Sequence, residues 1–554
     1  MSWRRALGLL LYAIVAFTLL APAGALASAG PAPAPPAEPA PIVAPLHNVG
    51  RWLVDAEGRV VVLHGVNLVA KVPPYLPQQM GFGGDDAAYL ESQGFNLVRA
   101  GVIFGALVPA PGQVDGTYLA GLHDFTTLAA RYRLLTLLDV HQDSYGPVFG
   151  GEGFPSWMTV TSVFHGNVGT EPATNTMDPG LLFAWSNLYA NARSEGVGIQ
   201  DAYDDGLTAL ARSFASAREV VGYGVLNEPW AGTQWLLCAR PAGCQDFERD
   251  TLTPFTRRAV AAVRRGDPSH VAWYEPVFFF SYGTDTAVGS PEDGATGFSF
   301  HLYCPGSEAF GALDVTPCAV QEESILSRAE RVAARNGSTL MNTEWGASDD
   351  VRSMQRLADE MDEHMVSWAF WAYYDCCGGP EGDRGLIVDP NRPPAARNLT
   401  QPKLDALVRP YPQAIAGTPA WYRFDHASRT FQLVYSTSPP AGTPLAAGAL
   451  TQVFVGSRSY PRGYHAEVSG ADVVTNPCAP FVALRAHPGV PRVELRLTPG
   501  ACTPATTLAT NLRPPVAPDG TWTGFAVIAL GWLAAATALV ATLVAGARLP
   551  RLLG

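Results

Sequence analysis

Val220-Val221-Gly222-Tyr223-Gly224-Val225-Leu226-Asn227-Glu228-Pro229-Trp230 is a short apolar run that ends on a carboxylate, and Thr339-Leu340-Met341-Asn342-Thr343-Glu344-Trp345-Gly346 repeats the arrangement. Runs this short and this apolar suit strands buried on both faces of a parallel sheet. Carboxylates at the carboxyl ends of two such strands can converge on one pocket, and a facing pair is what glycosidic bond hydrolysis needs. Either glutamate alone reads better as a cap or a salt-bridged residue, the usual fate of a lone acid. Together, with the partners described below, they read as a catalytic pair.

Outward from these two runs the pattern repeats. Between about Asn48 and Ile415, apolar runs at Val60–Asn67, Asn96–Val102, Leu134–Val140, Val220–Leu226, Val271–Glu275, Gly297–Tyr303, Leu340–Trp345 and Val366–Tyr373 alternate with Ala- and Leu-rich amphipathic segments. Eight strand-like runs separated by helical stretches predict an α/β fold, a (β/α)8 TIM barrel over 47–415. The stretch from Tyr145 to Ala192 is too long for an ordinary connection and reads either as a wall over the cleft or as a packed surface insertion. From Thr418 the runs become short and alternating, which predicts a C-terminal β-sandwich over 416–502. That domain either binds carbohydrate or packs on the barrel.

The chain ends suggest a location. Met1 to Ala27 has the form of a secretory signal, with Arg4 and Arg5 before an apolar run and Ala25-Leu26-Ala27 before Ser28. An uncleaved anchor is the alternative. A Pro/Ala-rich linker, 28–46, follows as a stiff exposed spacer. After a second linker at 503–522, residues 523–546 are apolar and long enough for a single transmembrane helix, with Trp522 and Trp532 toward its outer part and Arg548 and Arg551 in a tail at 547–554. The expectation is a membrane-anchored monomer with its catalytic domain outside the cell. Eight cysteines suit an oxidising compartment. Cys238 with Cys244, Cys304 with Cys318, and Cys478 with Cys502 are the simplest pairings, leaving Cys376 and Cys377 to pair with each other or to cross-pair. None has the CxxC spacing of a zinc site, so no structural metal is expected. Net charge is −12 without a basic stripe, which argues against nucleic-acid binding.

Around the carboxylates, Arg99 is placed to lie beneath Glu344 and keep it anionic, and Tyr303 to donate a hydrogen bond to it, both lowering a carboxyl pKa. Glu228, near a second negative charge and bordered by Trp230, has the setting of a raised pKa and of a general acid. Asn227 is suited to hydrogen-bonding a sugar 2-hydroxyl, His141 and His301 to binding hydroxyls or orienting the acid, and Trp371 to stacking under a sugar ring. Singly, each also reads as a hydrogen-bonded core residue.

Arg99, His141, Asn227, Glu228, His301, Tyr303, Glu344 and Trp371, in this order, resemble the eight-residue signature of glycoside hydrolase family 5 in clan A. The resemblance implies a barrel fold and a retaining double displacement, with Glu344 as nucleophile, Glu228 as acid/base and no cofactor. Gly65-Val66-Asn67-Leu68-Val69-Ala70-Lys71-Val72-Pro73-Pro74-Tyr75, Asp139-Val140-His141-Gln142-Asp143 and Ser459-Tyr460-Pro461-Arg462-Gly463-Tyr464 resemble motifs of the endoglycoceramidases, over roughly residues 47 to 500. These enzymes release the intact glycan from glycosphingolipids, and the resemblance implies that Lys71 and Asp143 contact hydroxyls of the sugar next to ceramide. Read from the residues alone, Lys71 among prolines is a solvated charge.

Val277 to Phe280, with Phe149, Phe154, Trp157 and Phe164, either line an apolar groove suited to a lipid or belong to the core. The alternatives are a family 5 β-glycosidase acting on a polysaccharide, a simple β-glucoside or a steryl glucoside, and, from another class, a non-catalytic glycan-binding surface protein.

Overall fold

The computed structural model describes residues 41–161, 178–303, 316–374 and 385–514. Eight parallel strands close into a barrel: β1 (His64–Leu68), β2 (Leu97–Ile103), β3 (Leu135–His141), β4 (Val220–Gly224), β5 (Val271–Tyr274), β6 (Thr296–Leu302), β7 (Thr339–Gly346) and β8 (Ser367–Trp371). Seven of them lie within one of the eight apolar runs or overlap most of it, and β1 takes the second half of its run. β8 closes the barrel on β1, with Trp368 opposite His64. Helices such as Gly116–Arg131 and Val351–Glu363 intervene, started by Asp115 and Asp350, whose carboxylates accept from the first free backbone N–H groups.

Strand alternation divides the barrel interior into two zones. Leu97, Leu135, Leu137, Val221, Val271, Trp273, Met341 and Ala369 form one apolar cluster at the floor. Two to four residues further along β2 and β3, the same inward face carries Arg99, Asp139 and His141. The apolar layers thus end where the charged ones begin, at the carboxyl end of the strands.

The second domain is built from two sheets. The larger contains β9 (Tyr411–Ile415), Thr451–Phe454, Phe481–Ala486 and Ala471–Val473, and is extended by three N-terminal strands, His47–Val49, Trp52–Val54 and Val60–Val61. The smaller contains Thr418–Asp425, Thr430–Ser436, Arg492–Pro499, Tyr464–Ser469 and Thr506–Thr507. The run Val60–Asn67 is therefore divided: Val60 and Val61 pair with Ile415 and Ala414, and only His64 onward enters the barrel. Parts of both linkers are also structural. Ile42 and Ala44 pack on the floor cluster, and Leu508 and Leu512 are buried against Trp421 and Val434. These few apolar side chains each find an apolar cluster to pack on, which their Pro-rich surroundings conceal.

The expected transmembrane helix is corrected. No helix among the described residues is long and apolar enough to cross a membrane. The longest, Thr316–Asn336, carries Glu322, Glu323, Arg328, Glu330, Arg331 and Arg335 and has 21 residues; charges at that density oppose transfer into hydrocarbon. The architecture is a barrel with a C-terminal sheet domain, and anchoring by a C-terminal helix, with the localisation that rested on it, has no support. Residues 523–546, the signal segment 1–27, Phe164, Cys304, Cys376 and Cys377 lie outside the described residues. Among the described residues, Cys238 pairs with Cys244 and Cys478 with Cys502, and Cys318 is also disulfide-bonded.

Candidate active site

Glu344 reaches the barrel interior through an irregularity in β7. Strict alternation from the inward Met341 would turn Thr343 and Trp345 inward. The pairing of β7 instead slips between Phe300 and His301 on one side and between Asn342 and Trp345 on the other. A bulge of this kind re-aims a side chain. Glu344 faces in, while Trp345 packs edge-on against Trp368 and Phe370. Asn67 on β1 secures the bulge, its amide donating to the Thr343 carbonyl at 2.9 Å and the Ala369 carbonyl at 3.1 Å.

Arg99 is fully buried and serves several strands at once. Its Nη1 donates to Glu344 Oε1, in a short contact, and to Asn67 Oδ1 at 2.9 Å. Its Nη2 donates to Asn227 Oδ1 at 2.7 Å and lies 2.8 Å from Asp139 Oδ2 and 3.6 Å from Glu275 Oε1. The Tyr303 hydroxyl donates to Glu344 Oε2 at 3.0 Å. Burial by itself raises the Glu344 carboxyl; the charges of His301, Arg99 and His141 together outweigh it and hold that carboxyl below its ordinary value. Glu344 is thus kept ionised.

Glu228 follows β4 with a positive φ of 45°, and its backbone N–H donates to Glu275 Oε2 at 2.9 Å. That anchor offsets a conformation costing about 1 kcal/mol for a non-glycine residue. Its side chain accepts from His301 Nδ1 at 2.7 Å. Burial, and then the charges of Glu344 and Asp143, push the Glu228 carboxyl above its ordinary value despite His301. His301 also lies 3.4 Å from Glu344 and 3.3 Å from Glu275. Burial disfavours its charge, yet the surrounding carboxylates raise it well above an ordinary histidine. Its ring faces three acids at once. One atom each of Glu228, His301 and Glu344 fall within 4.8 Å of one another.

The remaining residues named from sequence surround this pair. His141 bonds Asp139 at 3.1 Å and stacks on Trp371, with ring centroids 5.6 Å apart. Lys71 lies over the Trp371 ring, its Nζ 4.9 Å from the ring centroid, and pairs closely with Asp143. Asn227 donates to the Gln142 carbonyl at 3.2 Å. Lys71 is therefore no solvated surface charge: it is an ion-paired cation in the site. Three acids escaped sequence reading. Asp139 sits two residues before His141, and Glu275 ends the fifth run, so the recurrence of acids at run ends was a usable signal. Glu152 lies in the following loop, and nothing local marks it. Among the aromatics, Phe149, Phe154 and Phe280 are core, Trp157 is half-buried, and Trp230 meets Phe278 and Phe279 at 5.1 Å each beside Glu228.

A closed parallel barrel bearing two oppositely poised carboxylates at its carboxyl end defines a glycoside hydrolase of the barrel class. Residues 409–494 match the glycoside hydrolase family 5 C-terminal domain. The chain is 30% identical over 457 residues to endoglycoceramidase I of Rhodococcus hoagii, covering 80% of this chain and 87% of that protein. It is 29% identical over 455 residues to an endoglycoceramidase of Hydra vulgaris, covering 75% of this chain and 81% of that protein. The solved structure of endo-glycoceramidase II from a Rhodococcus species, in complex with a five-membered iminocyclitol, shares the fold with a TM-score of 0.69 at 23% identity, over 81% of this chain and all of that one. The chain belongs to the endoglycoceramidase-type enzymes of glycoside hydrolase family 5.

Proposed function

We propose that this enzyme hydrolyses the bond between oligosaccharide and ceramide in glycosphingolipids, with retention of configuration, by double displacement. The observation that carries the reaction type is the approach of the two carboxylates, with an oxygen of each within 4.8 Å. Retaining enzymes place the pair at about 5–5.5 Å, whereas inverting enzymes leave roughly 6.5–9.5 Å for a water molecule. The relatives' activity supports the leaving group, as does the aromatic wall of Trp230, Phe278 and Phe279 beside Glu228.

Glu344 attacks the anomeric carbon while Glu228 gives its proton to the ceramide oxygen, breaking the glycosidic bond. With ceramide gone, Glu228 is ionised and takes a proton from water, which attacks the same carbon and frees Glu344. Glu228 recovers its proton and the oligosaccharide leaves with its original configuration. Arg99, Tyr303 and His301 keep Glu344 ionised at the start; Asn227, fixed by Arg99 and the Gln142 carbonyl, faces the sugar. His141, Trp371, Lys71 and Asp143 form the wall against the sugar next to ceramide. No cofactor enters these steps.

Mass spectrometry of products from mixed glycosphingolipids tests this, because it reports the bond cut and the head group together. Intact oligosaccharide with free ceramide is expected. Turnover of only polysaccharides, simple β-glucosides or steryl glucosides would refute the ceramide assignment.

A further inference from the structure

Beyond β3, Gly150-Gly151-Glu152-Gly153 folds back onto the strand end. The Asp143 N–H donates to the Glu152 carbonyl at 2.8 Å, and Gly105 N–H to the Gly153 carbonyl at 2.7 Å. A Cβ at Gly151 would lie 1.8 Å from the Asp143 carbonyl oxygen; one at Gly153, whose φ is +137°, would lie 2.5 Å from Gln142 Cβ. Only glycine permits so close a return on either side. The fold-back buries the Glu152 side chain, leaving the residue 5% exposed, with Oε1 3.6 Å from Lys71 Nζ and without a hydrogen-bond partner among the described residues. Lys71 therefore faces two carboxyl groups, Asp143 and Glu152, while lying over Trp371. The double-displacement steps make no use of Glu152.

We propose that Glu152 is a positioning residue for sugar recognition, acting through Lys71 and Asp143 to hold both where they meet hydroxyls of the sugar at the cleaved bond. This role rests on the glycosidase reading above. One ammonium neutralises one carboxylate, and a second ionised carboxylate in the same buried corner leaves an uncompensated charge. Burial first, and then the charge of Asp143, push Glu152 up to about 8, against the pull of Lys71 and His141. Tyr75 also faces it, and Lys71 in turn senses Glu344. Near neutrality Glu152 is a neutral acid and Lys71 and Asp143 form a matched pair. As pH rises through about 8, Glu152 ionises, competes with Asp143 for Lys71, and the sugar-binding geometry loosens.

The test compares KM and kcat of the wild type, Glu152→Gln and Glu152→Ala on a glycosphingolipid that the wild type cleaves, at neutral and alkaline pH. Wild-type KM should climb several-fold above neutrality. Glu152→Gln, a permanently neutral isostere, should keep the neutral KM and lose that climb. Glu152→Ala should raise KM about tenfold, equivalent to roughly 1.4 kcal/mol of binding, with kcat nearly unchanged. A Glu152→Gln variant that retains the wild-type climb overturns the proposal, and this arm stands if the alanine variant fails to fold. An unchanged KM in a folded Glu152→Ala overturns it too. A wild type inert on every glycosphingolipid overturns instead the reading on which it rests.

Discussion

Replacing Tyr303 with phenylalanine removes one hydroxyl, the donor 3.0 Å from Glu344 Oε2, and leaves Arg99 on the other oxygen. A hydrogen bond to a charged acceptor contributes about 1.5–3 kcal/mol. At about 1.4 kcal/mol per pKa unit, its loss raises the Glu344 carboxyl by roughly one to two units. Glu344 attacks only when ionised, and its carboxyl starts below the ordinary range, since His301, Arg99 and His141 overcome its burial. The acid limb of kcat/KM, which reports the free enzyme's required base, therefore moves to higher pH. The loss of activity is greatest in acid and shrinks toward the plateau. Stability follows the same sign. A depressed carboxyl stabilises the fold above its unfolded pKa of about 4.3, and that contribution disappears as pH falls through the folded value. Tyr303→Phe makes it smaller. Initial rates across the acid range, alongside thermal unfolding, measure both. An acid limb that moves by less than about 0.3 unit in a folded variant, or roughly 0.4 kcal/mol, refutes the role of Tyr303 in holding Glu344 ionised.

Four further outcomes follow from the site and its supports. Glu344→Gly should lose at least roughly three orders of magnitude in kcat, and azide should restore part of it by attacking the anomeric carbon, giving an inverted glycosyl azide detectable by mass spectrometry; full activity without azide would be incompatible with a nucleophilic Glu344. Glu228→Gln should lose activity on glycolipid far more than on an aryl glycoside with an acidic phenol, whose departure needs no proton, and should lose the alkaline limb of kcat/KM. Equal losses on both substrates would contradict acid catalysis by Glu228. Gly151→Ala should raise KM more than it lowers kcat, because a Cβ 1.8 Å from the Asp143 carbonyl oxygen displaces the loop that seats Asp143 and Glu152; unchanged steady-state constants would show that the fold-back is not needed. Opening Cys478–Cys502, which spans 24 residues, with a pair of serines should lower stability by about 3 kcal/mol in chemical denaturation without altering kcat.

The barrel was legible because parallel strands buried on both faces must be apolar throughout, so each of the eight announces itself as a run. Their inward ends were equally legible: a buried Arg99, or an acid closing a run, is costly without a partner, and Arg99, Glu228, His301 and Glu344 prove to be one another's partners. What escaped depended on pairing between distant segments. Val60 and Val61 look like the start of a barrel strand, and pairing with Leu53 and Val54 on one side and with Ala414 and Ile415 on the other diverts them to another sheet. Glu275 closes its run as plainly as Glu344 does, but it acts by accepting the Glu228 N–H, a backbone contact with no signature in sequence. Glu152 is exposed to view only when the glycine-flanked loop folds back. The charge on Lys71 was visible; its burial between Asp143 and Trp371 was not.

The pairing of Val60 and Val61 with Ala414 and Ile415 has a consequence for the order in which the molecule is made. Those partners are separated by about 350 residues, and a ribosome adding about 5–20 residues per second needs roughly 20 to 70 seconds to supply the second pair. Throughout that interval the segment leading into the first barrel strand has only Leu53 and Val54 to pair with, and β8, which must close the ring against that strand, is made shortly before the second pair. The nascent barrel is held open at its seam until β8 is made, roughly two-thirds of the way along the chain. Its charged interior is thus wetted for most of synthesis and dried only when every carboxylate and its cation are present to receive one another.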